Sequence, residues 1–131
     1  MRLEDVETLN ELALNQSLDF TKISYGVLPL ILNNYKVLNS GSALGKGVGP
    51  LLISKKTLRL EEVENCIIAI PGENTTAQML FSLAFRNDQN KGFKRYDEIE
   101  NLLLGTDDKA LGGMIHDNRF TELNKGLHKL I

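Results

Sequence analysis

Cys66-Ile67-Ile68-Ala69-Ile70-Pro71-Gly72-Glu73-Asn74-Thr75-Thr76-Ala77 decides the fold. A continuous apolar run of five residues stopped by Pro-Gly reads as a strand buried on both faces, as in a parallel sheet. Thr75 or Thr76 then opens a helix in which Ala77, Leu80, Phe81 and Ala84 form the apolar stripe. The first N–H groups of that helix therefore lie just beyond the carboxyl end of a buried strand, where open α/β sheets bind ligands.

Outward from this core the pattern stays α/β. Val6, Leu9, Leu12 and Ala13 recur at helical spacing among Glu4, Glu7 and Glu11, so 4–15 reads as an amphipathic helix. Residues 19–25 alternate polar and apolar and predict a strand; Leu28 to Leu32, with Pro29 in the first turn, predicts a short helix, and 35–39 a second strand. Further strands are predicted at 51–54, at 93–96 and at 110–115. The last delivers His116-Asp117 at its end. A helix over 97–104 is expected to take Asp97 as N-cap and to close at Gly105.

The chain has 131 residues, with 15 Lys+Arg against 17 Asp+Glu, 42% hydrophobic residues and a net charge of −2. That balance is one of an ordered globular chain and supplies no long-range attraction for nucleic acid or an anionic membrane, so a small molecule or a protein is the expected partner. One cysteine excludes an intramolecular disulfide and a multi-thiolate zinc site, and the acidic N-terminus is unlike a secretory signal. A cytoplasmic protein without a membrane span is expected.

The glycine-rich stretch 39–50 fits neither phosphate-binding fingerprint. Between Gly41 and Gly45-Lys46 stand three residues where a Walker A loop has four, and Gly47 follows where that loop has Ser or Thr. Gly45, Gly47 and Gly49 lead into Pro50 and a strand where a dinucleotide fingerprint leads into a helix. A backbone-defined loop or a ligand-facing hinge remains. His116 at a strand's carboxyl edge is either a hydrogen-bonded structural histidine or a general base. His128, between Leu127 and Lys129, reads as a surface residue, and Cys66 as a packing residue. Thr75-Thr76-Ala77 is an N-cap or a carboxylate-binding helix start, and composition does not separate the two. Asp107-Asp108 reads as a solvated turn, with Arg119 a candidate partner for Asp117 or an anion.

Four blocks, Asp19–Ser24, Ser40–Leu52 (SGSALGKGVGPLL), Pro71–Ala77 (PGENTTA) and Ile115–Phe120 (IHDNRF), resemble the 1,4-dihydroxy-6-naphthoate synthase family of the futalosine route to menaquinone. The resemblance covers almost the whole chain in order. It implies a fold similar to type II periplasmic binding proteins, two α/β lobes closing on a ligand. Residues 1–52 would belong to the first lobe, ending in the glycine loop and hinge, and 53–131 to the second. It implies a lyase that converts cyclic de-hypoxanthinyl futalosine to 1,4-dihydroxy-6-naphthoate without metal or organic cofactor, with His116 as catalytic base. Ser24, Thr76 and Ala77 would hold the substrate, at its carboxylate.

Two departures accompany this resemblance. Asp117 stands where the family usually shows Glu, one methylene longer, and the family's chains are about twice this length. The chain is accordingly expected to be an incomplete member, with part of the first lobe and much of the second. Alone it is expected to self-associate or order only in part, and to lack turnover. The alternatives are a non-catalytic solute-binding module for a small carboxylate and an inactive remnant; a titrating base at His116 separates the enzyme from the binding module.

Overall fold

The computed structural model describes residues 3–43, 50–85, 90–105, 110–115 and 126–130. Its elements are α1 (Val6–Leu14), α2 (Leu28–Ile31), β1 (Pro50–Ser54), a 3-10 helix (Leu60–Asn65), β2 (Ile67–Ile70), α3 (Thr76–Ala84), β3 (Lys91–Phe93), α4 (Tyr96–Leu104), β4 (Ala110–Ile115) and β5 (His128–Lys129). The five strands form one sheet in the order β3-β2-β4-β1-β5.

β2 runs parallel to both neighbours, with Ile68 opposite Lys91 of β3 and Leu111 of β4. The sheet as a whole is mixed: β1 pairs antiparallel with β4, Leu52 opposite Gly113, and antiparallel with β5. The expectation of a parallel sheet thus holds for β2 and its partners and fails at β1. An apolar run such as Leu51-Leu52-Ile53 satisfies burial on both faces in either direction.

Alternation along the strands divides the core between the two sheet faces. Ile68 and Ile70 join Leu52, Val63, Cys66, Ala77 and Phe81 beneath α3, whereas Ala69 joins Leu51, Ile53, Ile99, Leu103 and Leu127 beneath α4. Ile68 and Ile70 are completely buried, and burying each is worth about 1.5–3 kcal/mol. Ile67, at the strand's start, is 47% exposed, so burial on both faces begins at Ile68. In α3 the stripe runs through Ala77 and Phe81, and Ala84 is exposed. Cys66 is a core residue whose thiol donates to the Glu62 carbonyl at 3.2 Å. His128 is exposed on the edge strand β5.

The amino-terminal part packs around a separate cluster of Ala13, Val27 and Ile31, with Ile23 and Tyr35 against it. Asp5 caps α1, accepting from the Glu7 and Thr8 N–H groups at 2.9 and 3.4 Å. The helix ends where Gln16 turns left-handed at φ 54°, sending its N–H to Ala13 and that of Ser17 to Leu12. The strands expected at 19–25 and 35–39 are not formed; neither segment joins a ladder, and residues 19 and 20 bend. In the first, Phe20 and Tyr25 face solvent and the Ser24 N–H donates to a side chain, Oδ1 of Asn10, at 2.8 Å. A side-chain amide does there what a neighbouring strand would do.

Two smaller expectations also shift. β3 spans Lys91–Phe93, earlier than predicted, and Tyr96 already belongs to α4. That helix takes Arg95, not Asp97, as its N-cap: Glu98 reaches back to accept the Arg95 N–H at 3.2 Å, and Asp97 lies in the first turn beside the Arg95 guanidinium. Gly105 closes α4 as expected, and its carbonyl accepts from the Lys55 ammonium at 2.6 Å.

Candidate functional site

The chain leaves β2 through α3 to β3 on one side, then reverses and crosses from β3 through α4 to β4 on the other side of β2. Open α/β sheets bind ligands where neighbouring strands, here β2 and β3, send their following helices to opposite faces. Here α3 lies over Ile68 and Ile70, and α4 over Ala69. The turn after β2, Pro71 to Thr75, sits at this switch point. β4 runs in the same direction as β2 and ends at Ile115, on the same edge. His116 follows directly in sequence. It lies outside the described residues, as do Asp117, Arg119, Asp107, Asp108 and the glycine loop from Leu44 to Gly49.

Thr75 is the N-cap of α3, its hydroxyl accepting from the Gln78 N–H at 3.3 Å and donating to the Gly72 carbonyl at 2.8 Å. This hydroxyl is spent on the fold. Thr76, the next residue, is different: its hydroxyl oxygen accepts the backbone N–H of Gly26 at 3.0 Å. A hydroxyl used as acceptor still carries its own proton for donation. Thr76 and Ala77 occupy the first two helical positions, whose N–H groups precede the i→i−4 ladder. Ala77 is buried and Thr76 half-buried.

Ser24 comes to the same place from the amino-terminal part. Its hydroxyl accepts from the Asn10 amide at 3.1 Å, and that amide, completely buried, also donates to the Asn74 carbonyl at 3.0 Å and to Glu7 at 3.3 Å. Glu7 in turn accepts from the Asn74 N–H at 2.9 Å and from its side-chain amide at 2.8 Å. Ser24, bonded through Asn10 to the Asn74 carbonyl, and Thr76, bonded to Gly26, therefore lie where the two parts of the chain meet, with Ala77 next to Thr76 on the same helix start. Glu7, Asn10, Gly26 and Asn74 were not singled out by sequence reasoning. In α1, Glu7 reads as one more acid on a polar face; only tertiary pairing across 67 positions reveals its role.

The cluster joins its two parts closely. A Cβ on Gly26 would stand 3.1 Å from Thr76 N and Cα and from the Thr75 carbonyl oxygen, and one on Gly72 would overlap the Glu7 carboxylate. Chemically, the Ser24 and Thr76 hydroxyls and the helix-start N–H groups at the carboxyl edge of β2 are donors of the kind that an anion takes. Among the described residues no helix is long and apolar enough to cross a membrane.

Comparison with known proteins gives a concordant picture. Two curated relatives are named 1,4-dihydroxy-6-naphthoate synthase. The one from Thermus thermophilus is 40% identical over 133 residues, covering 98% of this chain and 46% of its own. That from Streptomyces coelicolor is 35% identical over 132 residues, covering 96% and 45%. The chain spans about half the length of both. A crystal structure of a protein from Archaeoglobus fulgidus superposes with a TM-score of 0.84 at 32% identity, over 98% of this chain and 47% of that one. The family model described as menaquinone biosynthesis matches residues 1–131, and the chain belongs to that family.

Proposed function

We propose that this chain carries the carboxylate-binding part of a 1,4-dihydroxy-6-naphthoate synthase, a cytoplasmic lyase acting on cyclic de-hypoxanthinyl futalosine. The observation that carries the reading is the gathering of Ser24, Thr76 and Ala77 at the carboxyl edge of β2, with β4 ending on that same edge one residue before His116. The relatives named for this activity support it.

In this account the two packed parts of the chain contribute opposite walls of a cleft similar to that of type II periplasmic binding proteins. The Thr76 hydroxyl, fixed from behind by Gly26, donates to the substrate carboxylate, as does the Ala77 N–H, and Ser24 meets it from the other wall. The carboxylate pins the substrate so that an acidic C–H faces His116. His116 removes that proton; the electron pair left on carbon forms a new double bond as the neighbouring carbon–carbon bond breaks, the electrons of the broken bond leave with the departing fragment, whose carbon takes a proton back from the His116 imidazolium, and the ring left behind becomes aromatic. No step calls for a metal or organic cofactor.

Turnover should be assayed by chromatography of the naphthoate product, for the chain alone and for the chain extended with the remaining segments of the Thermus thermophilus relative. His116→Asn is expected to abolish product in whichever form turns over while changing stability by less than about 1 kcal/mol. More than a few per cent residual activity, or no product from either form, would overturn the assignment.

A further inference from the structure

Glu7 lies on α1, far in sequence from the turn it holds. Its Oε1 accepts from both donors of Asn74, at 2.8 Å from the side-chain amide and 2.9 Å from the backbone. Its Oε2 shares the Asn74 backbone N–H at 3.2 Å, accepts from the Asn10 amide at 3.3 Å and lies against Gly72, where a Cβ would displace it. A carboxylate bridging two N–H groups of one residue fixes that residue in position and angle together. Asn74 stands two residues before Thr76, and its carbonyl is held by Asn10, whose amide also carries Ser24.

We propose that Glu7 is a positioning residue for the carboxylate site: by fixing Asn74 it sets where the Thr76 hydroxyl and Ala77 N–H stand relative to Ser24. This inference rests on the carboxylate reading above. Glu7 does not touch the substrate. It acts through the 72–76 turn, and Gly72 is the companion residue that leaves room for its carboxylate. The Gly26 N–H bond to Thr76 reports whether that turn is in place.

The test pairs two readouts on the 131-residue chain. Calorimetric titration with 2-naphthoate should show affinity falling at least tenfold in Glu7→Ala and about threefold in Glu7→Gln, which retains one acceptor oxygen. Asn74→Ala added to Glu7→Ala should weaken binding little further, because both act through one contact. Amide hydrogen exchange should show loss of protection at Gly26 in Glu7→Ala, with smaller loss in Glu7→Gln. Unchanged affinity together with unchanged Gly26 protection overturns the proposal, as do additive effects of Glu7→Ala and Asn74→Ala. No naphthoate binding by the unsubstituted chain would count instead against the carboxylate site, and Gly26 protection across the Glu7 variants would then decide the positioning of the turn by itself.

Discussion

The backbone N–H of Gly26 donates to the hydroxyl of Thr76 at 3.0 Å, joining the amino-terminal part of the chain to the first turn of α3. The approach depends on Gly26 having no side chain: a Cβ would stand 3.1 Å from the Thr76 backbone. Gly26→Ala should therefore push the two parts apart by a few tenths of an ångström and cost about 1–3 kcal/mol, the range for overpacking. Urea unfolding of the variant measures this, and a cost below about 0.5 kcal/mol would show that the contact yields easily.

Gly112 plays the corresponding part beneath α4. It pairs with Ile53 and Ala69 in the centre of the sheet, and a Cβ there would lie 2.8 Å from both Ile99 Cγ2 and Leu103 Cδ1. Gly112→Ala should destabilise by about 1–3 kcal/mol by lifting the helix. Leu103→Ala should cost less in the Gly112→Ala background than it does alone, because the added methyl takes part of the space vacated, and a double-mutant cycle by equilibrium unfolding checks this.

Asp5 couples α1 to pH. Burial raises its pKa, but hydrogen bonds from the Thr8 hydroxyl and the Glu7 and Thr8 N–H groups, with the Arg95 charge, outweigh it and hold the carboxyl below its ordinary 3.8. A group with a lowered folded pKa binds fewer protons in the native state, so its contribution is complete above the unfolded value and is lost as pH falls through the folded one. Asp5→Ala should cost about 0.5–2 kcal/mol at pH 7, the range for a lost N-cap, and progressively less below pH 4. Melting temperatures across pH 2.5–7 test this; a difference independent of pH would contradict it.

Gln16 holds a left-handed conformation at φ 54°, which costs a residue with a Cβ about 1–2 kcal/mol. Gln16→Gly should relieve part of that and raise stability by roughly 0.5–1 kcal/mol, since glycine is the residue that helix ends of this type prefer. Thermal unfolding decides it, and a fall in melting temperature would mean that the Gln16 side chain contributes more than its backbone costs.

How far these features could be read in advance followed from how local they are. β2, α3 and β4 announce themselves through apolar runs, a Thr cap and bounding glycines, each set by neighbours within a few positions. The antiparallel seating of β1 does not, because Leu51-Leu52-Ile53 carries no directional information. Residues 19–25 have strand periodicity but no partner strand, and the Asn10 amide takes the bond a ladder would have made. Thr76 and Ala77 were legible as a helix start that could bind a carboxylate, Ser24 came only from the family resemblance, and their convergence is a tertiary fact. Glu7, Asn10 and Asn74 had no local signature, since an acid and two amides on helix and turn surfaces ordinarily face water.

The central claim is that the Ser24–Thr76–Ala77 cluster binds a carboxylate, and calorimetric titration with 1,4-dihydroxy-6-naphthoate tests it most directly. A charge-assisted hydrogen bond of about 1.5–3 kcal/mol predicts that Thr76→Val weakens binding roughly tenfold to a hundredfold, that Thr76→Ser leaves it nearly unchanged, and that Ser24→Ala shifts it in the same direction as Thr76→Val. The carboxamide analogue should bind the unsubstituted chain more weakly than the acid. Equal affinity of Thr76→Val and the unsubstituted chain, with only the melting temperature lowered, would contradict the account and leave Thr76 as a structural contact of Gly26.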